Sequence, residues 1–219
     1  AHIIALASNI WANNFPKADK LVATVKKWFK HCPSRKLHFK DHLTEAIQQE
    51  GCILPIKLPS EPCITRWGTW YSAAEYPSKC IPFNTSFVQK EMHISPNTVV
   101  SKDLQKLLKD VQSLKSQLSL IASHAKGLVD QIQWFESREV RVHQTYNKVG
   151  ELINTYRAMA QEVHSTDTAI NKLCVKTFHD VSEKLTHYYN PDQCKKKPGF
   201  FQPVHNFLTA VRIFNMAAK

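Results

Sequence analysis

Apolar residues recur three and four apart along most of this chain, and alternation at a period of two never persists beyond a few residues. That pattern predicts a mainly helical protein. Residues 2–13 form a short apolar segment, read as a helix ending at Asn13-Asn14. After Pro16, Leu21, Val25, Trp28 and Phe29 share one helical face, while Lys17, Lys20, Lys26, Lys27 and Lys30 take the others. This is a basic amphipathic helix. Pro33-Ser34 stops it and caps the next helix, whose predicted apolar face is Leu37, Leu43, Ala46 and Ile47, with Gly51 as its end.

Residues 51–64 contain Pro55, Pro59 and Pro62 and read as an extended connector. Arg66-Trp67 opens a short helix predicted to fail at Tyr76-Pro77, and residues 77–98, with Pro77, Pro82 and Pro96, read as an irregular loop. Beyond Lys102, the positions Leu104, Leu107, Val111, Leu114, Leu118 and Ile121 make a coiled-coil-like stripe, which Leu128, Ile132 and Phe135 continue after Gly127. Further helices carry Val149, Leu152, Tyr156, Met159 and Val163, then Ile170, Leu173, Cys174, Phe178, Val181 and Leu185. A last helix with Val204, Phe207, Leu208, Val211 and Phe214 follows the Asn190-Pro191 break and the Lys195-Lys196-Lys197-Pro198-Gly199 turn. The expected organisation is residues 1–50, a connector over 51–64, and a helical region over 65–219, packed as antiparallel helices on short links.

With 219 residues, 43% hydrophobic content and only 5 Gly, the chain can build one good-sized core or two small ones. Its formal charge of +11, from 29 Lys and Arg against 18 Asp and Glu, favours a polyanionic partner, nucleic acid before acidic membrane. The strongest electrostatic footprint joins the lysines at 17, 20, 26, 27 and 30 to Arg35 and Lys36. Lys195 to Lys197 fit either a phosphate contact or a solvated turn. No apolar run approaches the ~18 residues of a membrane span.

Candidate chemistry is sparse. The six cysteines form no C-x-x-C pair and no zinc-finger spacing with His, so reduced intracellular thiols are expected. His38 and His42 have the four-residue separation of metal ligands, but on a Lys-rich face where solvated side chains are expected; neither metal nor cofactor is anticipated. No Gly-x-Ser-x-Gly elbow, Gly-rich phosphate loop or His-Glu-x-x-His occurs, and the aspartates read as helix caps and surface charges. No catalytic constellation is complete, so no enzymatic activity is expected. Ala1 opens directly into an apolar run, which reads as a cut inside a larger protein or a truncated reading frame.

The stretch Thr65-Arg66-Trp67-Gly68-Thr69-Trp70-Tyr71 supports two readings: a clamp for phosphate and base, or the start of a helix anchored in a core. Three segments around it, in order, resemble transposase-derived proteins of the hAT superfamily. The first runs from Ala1-His2-Ile3-Ile4 through Phe15-Pro16-Lys17 and Val25-Lys26-Lys27-Trp28-Phe29 to Cys32-Pro33-Ser34-Arg35. It is similar to the helix that begins at the His of the family's C-x-x-H motif, with His2 as the motif histidine. The second is Ile64 to Trp70, close to the family's Arg-Trp signature. The third is Phe207 to Asn215, similar to a segment late in the family's helical insertion, with Leu118 to Ser123 falling between.

The resemblance implies a helical, bundle-like insertion domain preceded by a remnant of a ribonuclease-H-like core. It makes Arg66 and Trp67 inherited DNA contacts, beside the basic surface of Lys26, Lys27, Lys30, Arg35 and Lys36. The family's motif Cys, both catalytic Asp residues and the final Glu have no counterparts in the chain. The implied protein is therefore a catalytically incomplete, domesticated remnant in the nucleus, bound to DNA or chromatin, with a homo-oligomer or a transposase-like protein as a further partner. The alternatives are a helical protein-interaction module pairing through the 104–121 stripe, or a degenerate reading frame without selected function.

Overall fold

The computed structural model describes residues 1–50, 56–63, 66–94, 99–137, 139, 142–162 and 168–189, together with 206, 207 and 210. These residues are mainly helical, and the β structure among them is one isolated bridge between Cys63 and Arg66. Most of the last predicted helix, 204–214, lies outside them.

The described helices are α1 (His2–Asn14), α2 (Pro16–Phe29), α3 (Pro33–Glu50), α4 (Trp67–Ile94), α5 (Val99–Leu108), α6 (Val111–His124), α7 (Lys126–Glu136), α8 (Val142–Glu162) and α9 (Ala169–Tyr189). They divide into two compact units whose boundaries differ from those expected. One unit joins Ala1–Asn14 to Gly127–Lys219, and the other is the uninterrupted stretch Phe15–Lys126.

In the first unit α9 packs against both α8 and α1. Its centre is Phe178, whose ring meets Trp11 edge-on at 6.0 Å and Tyr156 at 5.9 Å. Asn14, at the end of α1, donates to Thr177 Oγ1 (3.1 Å) and Asp180 Oδ2 (2.9 Å). These bonds fix the end of α1 where the chain leaves the unit.

The second unit is built around α2 and α4. Trp28, Phe29, Phe39 and Phe87 form an aromatic cluster, with Phe39 and Phe87 5.0 Å apart and Trp28 and Phe87 5.5 Å apart. Phe39 rather than Leu37 therefore supplies the apolar face of α3, and Leu37 is 59% exposed. The turn from α2 to α3 passes through His31 at φ 58°, a left-handed conformation that His tolerates better than most residues.

Two expectations are corrected here. The loop expected over 77–98 is helical to Ile94, because α4 runs straight through Pro77 and Pro82. A proline inside a helix costs about 3 kcal/mol. Against that, Tyr71, Ala74, Tyr76, Cys80, Ile81, Phe87 and Val88 are all buried along α4, and each large apolar side chain contributes about 1.5–3 kcal/mol. Burial wins.

The leucine stripe is likewise not one helix, since the chain turns at Lys109-Asp110 between α5 and α6. Leu104, Leu114, Leu118 and Ile121 are spent inside this unit, at 0–2% exposure.

Candidate nucleic-acid interface

The surplus of positive charge is concentrated in the second unit. Phe15–Lys126 carries 17 of the 29 Lys and Arg but 9 of the 18 Asp and Glu, so most of the net charge lies there. Along α2 and at its C-cap the solvent-facing positions include Lys20, Ala23, Lys27 and Lys30, spaced three, four and three apart, which makes a single stripe. Lys20, Lys27 and Lys30 pair with no carboxylate among the described residues.

The other predicted contact residues separate into distinct environments. Arg66 is exposed and sits on the Cys63 bridge just before α4, its carbonyl accepting from Thr69 Oγ1 at 2.7 Å. Its neighbour Trp67 turns inward and is 5% exposed. The Trp67 ring lies 5.7 Å from Trp70 and 6.0 Å from Tyr71, and its indole N–H is buried without an acceptor among the described residues. Trp70 donates to Asp19 Oδ1 on α2 at 2.8 Å. Arg66 and Trp67 thus share no face, and the Trp67 ring is engaged in the packing of α4.

Arg35 is also enclosed. Its Nε donates to Glu91 Oε1 (3.3 Å), its Nη1 donates to the Trp28 carbonyl (2.6 Å), and its guanidinium lies 4.9 Å from the Trp28 ring centre. His38, one turn along α3, meets the other Glu91 oxygen through Nδ1 at 3.0 Å. His42 instead contacts Ser86 Oγ at 3.0 Å, so the two histidines do not converge. Among the described residues no three His, Cys, Asp or Glu side chains gather as a metal site would require.

Lys26 folds back and donates to the Pro62 carbonyl at 2.6 Å, securing the connector on α2. Lys36 is half-buried, while Lys27 and Lys30 reach solvent. Lys17 pairs with Asp110 in the turn after α5, and its hydrogen bond holds the Asp110 carboxyl below the usual range.

A second set of exposed lysines carries no signal in the sequence beyond lying off the apolar stripe of their helix. These are Lys102 and Lys106 on α5 and Lys109 just beyond it. The helices α2 and α5 pack together and run antiparallel. Lys17 reaches Asp110 at one end, and Trp28 Nε1 donates to Ser101 Oγ at the other (3.1 Å). The two lysine stripes therefore lie on adjacent helices.

The apolar cavity beside the aromatic cluster has a volume of about 20 Å³, little more than a water molecule needs and far below the ~300 Å³ of a small-molecule pocket. The larger groove in the first unit, along α8 and α9, is open and of mixed charge, lined by Arg157, His179, Glu183, Lys184 and His187. No helix among the described residues is long and apolar enough to cross a membrane.

No protein-family model, curated protein or solved structure matches this chain.

Proposed function

We propose that this chain is a catalytically incomplete, transposase-derived nuclear protein that binds DNA or chromatin. In this reading its first helices descend from the edge of a ribonuclease-H-like core, and the later ones from a helical insertion. The observation that supports it best is the lysine stripe of α2, exposed and unpaired among the described carboxylates, in the unit that holds most of the net charge. Such a surface attracts polyanions by releasing their condensed counterions. The Arg66-Trp67 pair and its flanking segments supply the link to transposases.

The rival reading, a module pairing through the 104–121 stripe, is disfavoured by the burial of Leu104, Leu114, Leu118 and Ile121 within their own unit.

Fluorescence anisotropy of the full chain with labelled DNA of mixed sequence tests the proposal. Binding is expected at about 50 mM salt, weakening steeply by about 200 mM, and it should be largely lost in Lys27→Glu/Lys30→Glu/Lys36→Glu. Absence of binding at low salt, or binding indifferent to salt, would overturn it. A fluorescent fusion confined to the cytoplasm would remove the nuclear assignment.

A further inference from the structure

Resting on the DNA-binding reading above, the geometry points to the paired helices α2 and α5 as a surface for the phosphate backbone of double-helical DNA, read without base stacking or base sequence. The first ground is where the aromatics are. Single-stranded nucleic acid is held by successive bases stacked on exposed rings. In Phe15–Lys126 the described Phe, Trp and Tyr side chains are Phe15, Trp28, Phe29, Phe39, Trp67, Trp70, Tyr71, Tyr76 and Phe87, and every one is buried. The basic unit therefore presents charge with no described Phe, Trp or Tyr stacking platform beside it.

The second ground is spacing. At ~1.5 Å per residue, Lys20 and Lys30 stand roughly 15 Å apart along α2, and Lys102 and Lys109 about 10 Å apart along α5. Phosphates on one strand of a duplex repeat every ~3.4 Å of axis, so each stripe spans several of them. Two rigid antiparallel helices hold the charges at fixed separation, which suits a stiff duplex better than a flexible strand.

The third ground is which carboxylates are available to compete. Asp19 accepts from Trp70, and Asp110 is held by Lys17; Asp103, half-buried on α5, is the other acidic residue on these two helices and their connecting turns. An acidic membrane fits less well. A helix lying in a bilayer surface must offer its apolar face to lipid, whereas Leu21, Val22, Trp28 and Phe29 of α2 are already buried in the protein.

The test compares a 20-base-pair duplex with each of its separated strands by anisotropy across a salt series, using the full chain. The duplex should bind at least about tenfold more tightly at equal salt. With six lysines engaged, log K should fall against log salt with a slope of roughly −5, from about −0.9 per phosphate. Duplexes of different sequence should agree within about threefold. Lys20→Gln/Lys27→Gln/Lys30→Gln should flatten the slope by about 3, and Lys102→Gln/Lys106→Gln/Lys109→Gln by a similar amount. Glutamine keeps helix propensity close to that of lysine, and circular dichroism confirms that each variant is folded. Equal or tighter binding of the single strands, or slopes unmoved by both variants, would overturn this inference while leaving DNA binding intact. Failure of every DNA to bind at low salt would overturn both.

Discussion

Removing the Glu91 carboxylate should destabilise the Phe15–Lys126 unit more than almost any other single polar change. The Arg35 and Glu91 side chains are only 9% and 5% exposed, so Glu91→Ala would leave a guanidinium enclosed without its counter-charge. Breaking a buried ion pair from one side costs about 3–5 kcal/mol. Arg35 would keep its bond to the Trp28 carbonyl and its place over the Trp28 ring, which puts the expected loss near the lower end, about 3 kcal/mol. Glu91→Gln retains an acceptor for Arg35 Nε but not the counter-charge, so it should cost less than Glu91→Ala yet more than the roughly 1 kcal/mol of an ordinary hydrogen bond. The double change Arg35→Met/Glu91→Leu removes both charges and should come out near neutral or slightly stabilising.

Urea unfolding followed by tryptophan fluorescence is a suitable assay, because Trp28, Trp67 and Trp70 all belong to this unit. For a slope near 2 kcal/mol per molar urea, Glu91→Ala should lower the midpoint by about 1.5 M. A loss under about 1 kcal/mol, or a double variant as damaged as the single one, would refute the claim that this pair is closed to water.

Two further predictions follow from burial. Trp67→Ala should cost about 3–5 kcal/mol of stability, whereas Trp67→Phe should cost less and leave DNA affinity unchanged; a specific loss of affinity in folded Trp67→Phe would return that ring to the interface. Stability should also fall between about pH 9 and pH 11. Burial raises the Cys174 thiol to about 11 and moves Cys80 in the same direction. The unfolded chain therefore releases these protons first, and the stabilisation present below pH 9 is lost as pH rises through the folded value. Urea midpoints at pH 8, 9, 10 and 10.5 measure this, and Cys174→Ala should flatten part of the decline. An unchanged midpoint across that range would contradict it.

The sequence reveals α2, α8 and α9 because each keeps an unbroken stripe at helical spacing, and α1 as a short apolar segment. It concealed α4 because Pro77 obeys a local rule that tertiary burial overrides, as the enclosed Tyr76, Cys80 and Phe87 demonstrate. A loop over 77–98 gives Glu91 no face, so nothing in the sequence marks it as the partner that withdraws Arg35 from the basic surface. On a helix that continues past Pro82, Phe87, Val88 and Glu91 fall on one side together. Trp67 was undecided for a related reason: its neighbours in sequence fit both a stacking clamp and a packed helix start. Periodicity also says which face is apolar but not what covers it. The pairing of Asn14 with Thr177 could not be read from either segment alone.

That pairing has a consequence for the order in which the chain acquires its structure. Phe15–Lys126 is contiguous, so a ribosome delivers everything this unit needs before α8 and α9 exist. In contrast, α1 emerges ahead of this unit and waits for α9, a separation of 163 residues between Asn14 and Thr177. Closing a loop adds only about 0.6 kcal/mol for each doubling of its length, so the cost falls on the rate of folding rather than on final stability. During that wait Ile4, Ala7 and Trp11, all buried in the finished fold, are exposed apolar surface on a growing chain, which makes the first helix the segment most in need of a chaperone.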